Sequence, residues 1–80
     1  MKESEIIQAI DKKVITYRLW TIDITEDPKQ RKEQHGNPEH WADWKADSET
    51  IARNVEKYFI DKGMKGGTGG GDHPTYVYTF

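Results

Sequence analysis

Eighty residues of 9.3 kDa, 34% of them apolar, allow one domain, spanning residues 1–80, with a small core. Twelve basic against fourteen acidic side chains give a net charge of −2, which argues against a polybasic nucleic-acid coat. The absence of cysteine removes disulfide and thiolate-metal frameworks. With no long apolar run and a polar start, Met-Lys-Glu-Ser-Glu, neither a membrane span nor a secretory signal is expected, and the cytoplasm is the expected location.

In chain order, Ser4 is expected to cap a helix near residues 4–12 with Ile6, Ile7 and Ile10 on one face. Residues 14–25, Val-Ile-Thr-Tyr-Arg-Leu-Trp-Thr-Ile-Asp-Ile-Thr, are rich in β-branched and aromatic side chains. They predict a central strand near 15–24, apolar on both faces and broken by Asp23. Asp27 as N-cap, Pro28 at the first helical position and Gln30 in the capping-box position predict a helix over 28–35, stopped by Gly36-Asn37-Pro38. That helix has no large apolar side chain, so it forms only if its ends are docked or if it presents a face to something.

Residues 39–62 admit two readings. Trp41, Trp44, Ser48, Ile51, Val55 and Tyr58 recur at helical spacing and fit one long helix. The alternative is a strand near 40–45 and a new helix over 48–62, with Asp47-Ser48 as a capping pair and a break between Ala46 and Ser48. Gly63 closes the helix either way. Residues 63–74 are glycine-rich, but no Lys-Ser or Lys-Thr follows and a strand replaces the required helix. A flexible connector is expected there, not a phosphate loop. Residues 75–80, Thr-Tyr-Val-Tyr-Thr-Phe, read as a strand that must join the sheet, beside residues 14–24. The expected fold is α+β, a small three-stranded, mainly antiparallel sheet packed with about three helices.

The histidines and acids at His35, His40, His73, Glu39, Asp43 and Asp72 match no compact metal-ligand spacing, and nothing resembles a nucleophile elbow. The informative pair is Arg31 and Glu56. Arg31 stands mid-helix on a polar element; its plain reading is a solvated side chain paired with Asp27. Glu56 follows Val55 at the edge of an apolar stripe, half buried beside the sheet. Its plain reading is a flank glutamate paired with Arg53 or Lys57, and spacing alone favours the plain readings.

The stretch Trp20-Thr-Ile-Asp-Ile-Thr-Glu-Asp-Pro-Lys-Gln-Arg-Lys-Glu-Gln-His35 resembles the second motif and first helix of the GIY-YIG nuclease family. There a strand ending in Tyr-x-Gly-x-Thr precedes a helix bearing an Arg, often with a His four residues on; Arg31 and His35 match. Residues 41–56, with Asp47-Ser48-Glu49, Ala52 and Glu56, resemble the family's third strand and the helix carrying its metal-binding Glu. Thr21 and Asp23 stand where the family has a tyrosine and a glycine. The family's first strand is missing ahead of Tyr17, and Tyr76-Val77-Tyr78 looks like that strand moved to the C-terminus, with Tyr78 in place of its tyrosine.

The resemblance implies phosphodiester hydrolysis with Mg²⁺ or another divalent metal held by Glu56. Arg31 would stabilise phosphate charge, Tyr78 would activate water, and His35 joins them as a catalytic residue. With one tyrosine missing, the implied protein is a divergent member, a weak or inactive DNA endonuclease meeting nucleic acid through a weak, local site. The alternative is a small non-enzymatic protein-interaction module using Trp41, Trp44 and the C-terminal strand. Neither reading involves a membrane.

Overall fold

A computed structural model of the chain describes residues 1–67 and 73–80, in the order α1 (Glu3–Lys13), β1 (Thr21–Thr25), α2 (Pro28–Gln34), β2 (Ala42–Lys45), α3 (Glu49–Asp61), β3 (Lys65–Gly66) and β4 (Tyr76–Thr79). The class is α+β, with three α-helices among the described residues. Among the described residues the sheet is mainly antiparallel, as expected, but has four strands, ordered β2-β4-β1-β3, rather than three. β4 runs antiparallel to β1 and β2, whereas β3 lies parallel to β1.

The extra strand comes from inside the expected glycine connector, and the end of α3 explains it. Gly63, at φ +116, lets the chain turn back, with Gly63 N–H donating to Ile60 O and Met64 N–H to Phe59 O, both at 3.0 Å. This Schellman closure buries Met64 and aims Lys65 at the Trp20 carbonyl, 3.0 Å away. Pairing therefore follows from where the helix ends and not from strand propensity. Residues 68–72 of the expected connector lie outside the described residues.

β4, the last strand, occupies the middle of the sheet. Its Tyr78 lies opposite Asp23 on one side and Asp43 on the other, and Val77 lies between Ile24 and Trp44. Thr21 and Phe80 exchange both backbone hydrogen bonds, at 2.8 and 3.1 Å. Strand alternation sorts the side chains. Ile22, Ile24 and Val77 share one face and form the core with Ile6 and Ile10 of α1 and Ala52, Val55 and Phe59 of α3. Asp23 and Tyr78 face the other way. Trp44 packs against the core while Trp41 stacks on Tyr78, so the two tryptophans lie on opposite faces of the sheet.

The strand expected near 15–24 begins only at Thr21. Among the described residues no antiparallel strand lies beside residues 14–20, and their β propensity finds no partner there. Instead Val14 ends α1, and Tyr17–Leu19 form a 3₁₀ turn that leaves Ile15 95% and Leu19 72% exposed. α1 likewise starts at Glu3 rather than behind a Ser4 cap; the Glu5 side chain accepts from Lys2 N–H at 2.8 Å.

The two later helix starts form as their sequences direct. Asp27 Oδ1 accepts from Gln30 N–H at 3.0 Å, and Ser48 Oγ accepts from Ile51 N–H at 3.2 Å. With β2 ending at Lys45 and α3 starting at Glu49, the break falls between Ala46 and Ser48. No helix among the described residues is long and apolar enough to cross a membrane.

Candidate functional site

The Tyr78 hydroxyl is the point on which the polar face of the sheet converges. Alternation along β4 turns this side chain away from the core, yet it is fully buried, so its hydroxyl requires partners. It donates to Asp23 Oδ2 at 3.1 Å, accepts from Arg31 Nε at 3.3 Å, and lies 3.3 Å from His35 Nε2. Arg31 Nη2 also reaches Asp23 Oδ2 at 3.4 Å, while Nη1 donates to Gln34 Oε1 at 3.1 Å.

Local chemistry on α2 holds this arrangement. Arg31 and His35 are four residues apart and share one helix face. His35 is the C-cap, and the helix closes behind it through Gly36 and Asn37, both at positive φ. Gly36 N–H donates to Glu33 O at 3.0 Å and Asn37 N–H to Lys32 O at 2.9 Å. A helix without an apolar face is thus docked through Arg31 and His35, which answers why so polar a segment is helical.

Asp23, 1% exposed, links this group to α3. Its Oδ1 accepts from Ile24 N–H at 2.8 Å, and its carboxyl is near enough to Glu56 to disfavour that group's charged form. Gly67 packs so closely on it that a Cβ there would collide with the Asp23 carboxylate. Glu56, one position beyond the buried Val55, is partly buried as its helix position predicts. The structure therefore brings together all four expected residues, Arg31, His35 and Tyr78 around one hydroxyl and Glu56 through Asp23. Asp23 itself is the residue that sequence reasoning missed. Its one visible signal was a lone carboxylate in the middle of Thr-Ile-Asp-Ile-Thr.

The electrostatics follow from burial and from these neighbours. Burial, then the hydrogen bond to and charge of Asp23, push Glu56 up to about 7 against the pull of Arg53. Burial pushes the Tyr78 phenol up to about 12 even though the Arg31 hydrogen bond opposes it. Arg31 is raised above its ordinary value, chiefly by its hydrogen bond to Tyr78. Near neutral pH the site therefore holds a neutral phenol, a guanidinium, and a Glu56 carboxyl able to take up or release a proton.

The Glu56 shift has a sign that stability measurements can read. The native state keeps a proton that the unfolded chain releases near 4.5, so this group lowers stability as pH rises from about 4.5 through about 7. The full shift corresponds to about 3 kcal/mol, and solvent reaching the partly buried carboxyl reduces this to about 1–2 kcal/mol. Glu56→Gln is accordingly expected to be more stable than the natural protein at about pH 8 and equal to it at about pH 4, as read by urea unfolding. A constant difference across that range would contradict the assignment.

As a metal site the group is open. Glu56 carries the hard oxygen donor type that Mg²⁺ takes, one or two carboxylates with water completing the shell, whereas Asp23 is 1% exposed with both oxygens already accepting hydrogen bonds. Among the described residues no group of three or more His, Asp or Glu side chains gathers to form a cage. The residues fit a hydrated divalent ion on Glu56 and do not fit an all-protein metal centre. No family model matches this chain, and neither a curated protein nor a solved structure matches it.

Proposed function

We propose that this chain is a divergent GIY-YIG-like domain that works in nucleic-acid transactions, with phosphodiester hydrolysis slow or absent. The observation that carries the reading is the meeting of Arg31, His35 and Asp23 at the Tyr78 hydroxyl, with Glu56 near enough to feel the Asp23 charge. Arg31, 28% exposed, and His35, exposed, are the nitrogen donors of the group that solvent reaches, and they are where a phosphate would be met. A divalent ion on Glu56 would supply Lewis-acid stabilisation of the phosphate. Tyr78, fully buried and already donating to Asp23, would hold Arg31 and His35 in place rather than meet water itself.

Two features keep the expected rate low. Thr21 stands where the family pattern has a second tyrosine, and a phenol near 12 is a poor base at neutral pH. Incubation with branched DNA and Mg²⁺ or Mn²⁺ is expected to show cleavage at or below detection. Any trace activity is expected to vanish in Glu56→Gln. Robust turnover that Glu56→Gln abolishes would instead establish an active enzyme, and turnover that survives it would move the chemistry elsewhere. A second reading, a protein-contact module, loses the surface expected for it, since Trp41 and Trp44 lie on opposite faces and β4 is buried mid-sheet; it draws instead on Ile15 and Leu19, 95% and 72% exposed beside the 3₁₀ turn.

A further inference from the structure

We propose that Trp41 and Phe80, with His35 beside them, form a shelf that receives one unpaired nucleobase while Arg31 and His35 face its phosphate. The substrate class is then nucleic acid with an unstacked base, single-stranded or at a junction, rather than intact duplex. The inference rests on the nucleic-acid reading above and names its substrate.

Four observations carry it. The rings of Trp41 and Tyr78 stack at 4.4 Å and 15°, and Phe80 continues the layer, 5.8 Å and 21° from Trp41. Trp41 and Phe80 remain partly exposed, and neither belongs to the core cluster or to the side chains packed on it. In a chain with few apolar residues, two large aromatics sit outside the core on the polar face of the sheet. Trp41 Nε1 donates to Asp43 Oδ2 at 2.8 Å, which holds the indole in a fixed orientation before any ligand arrives. Finally, the shelf and the anion-facing group share His35, whose ring lies 4.5 Å from Phe80 and whose Nε2 lies 3.3 Å from the Tyr78 hydroxyl held by Arg31.

That last point selects the occupant. A ligand filling both parts needs a flat, apolar-faced ring and an anionic group joined by a short spacer, and a nucleotide unit is built that way. Charge selects the single strand. With net −2, and with Asp23, Asp43 and Glu56 close by, backbone electrostatics are weak, so stacking must supply much of the affinity. Stacking is available only where a base face is uncovered, and in a duplex neighbouring pairs cover it.

The test is metal-free binding of a labelled oligothymidine of about twelve nucleotides, and of the corresponding duplex, at low salt. The single strand is expected to bind at least about tenfold more tightly than the duplex. Trp41→Ala is expected to weaken single-strand binding by about ten- to a hundredfold, with Trp41→Phe restoring most of it. Trp41→Leu, which keeps an apolar cover over Tyr78 but offers no ring face, is expected to behave as Trp41→Ala and serves if the alanine variant does not fold. Equal binding of both forms, or a single-strand affinity indifferent to Trp41, overturns the shelf and leaves the nucleic-acid reading intact. Binding of neither form overturns both.

Discussion

Removing residues 75–80 is expected to unfold the domain rather than to shorten it. Val77, Tyr78 and Thr79 are fully buried, and β4 is the strand to which both β1 and β2 are bonded. Without it β2 has no strand neighbour, Ala46 N–H loses the Thr75 carbonyl that it reaches at 2.7 Å, and the site loses its central hydroxyl. Burying Val77 and Tyr78 alone contributes about 3–6 kcal/mol, and a domain of this size has about 4–12 kcal/mol in total. Circular dichroism is expected to show no cooperative melt for the truncated chain, and amide protection in β1 is expected to disappear. An unchanged melting temperature, with β1 still protected, would mean that the sheet does not depend on β4.

Arg31→Met is expected to cost about 2–3 kcal/mol near neutral pH, because it removes the guanidinium that faces the buried Asp23 carboxylate at 3.4 Å. Removing one partner of a buried pair typically costs 3–5 kcal/mol; with Arg31 28% exposed, entering water lowers that figure. The loss is expected to shrink as pH falls through about 7, since Glu56 then takes up a proton and no longer adds its negative charge beside Asp23. It is also expected to shrink in an Asp23→Asn background, with a coupling of about 1–2 kcal/mol in the double-mutant cycle. Additive losses in that cycle would show that Arg31 supports the fold through Tyr78 and Gln34 alone, with Asp23 contributing nothing to it.

What could be read from the sequence was whatever neighbouring residues decide among themselves. Asp27-Pro28 and Ser48 start helices by bonding N–H groups three residues on, and Gly63 ends one, so each was visible within a window of a few positions. Glu56 was placed half in by helical periodicity from Val55. The start of β1 was not visible, because it is set by which strand lies beside it, and the pairing of Lys65–Gly66 depends on where α3 stops. Spacing alone gave Arg31 only Asp27 as a partner. Its role emerged only from a resemblance, since Tyr78 is forty-seven residues away. Asp23 read as an interruption because its partners Arg31 and Tyr78 stand eight and fifty-five residues along the chain.

The central position of β4 also dictates when folding can finish. A chain made from its N-terminus can form α1, and later α3, from local hydrogen bonds as each emerges. The sheet cannot close at that stage, because the strand belonging between β1 and β2 is synthesised after both. Pairing partners fifty-five residues apart must then find each other against loop entropy, which places the slow step after residues 76–79 are free. Until then β1 and β2 each present an unsatisfied edge to the same empty slot. Any strand with alternating apolar residues can enter it, another copy's β4 included. The arrangement that buries Tyr78 so completely in the finished domain makes the nascent one dependent on its last segment arriving before a competitor does.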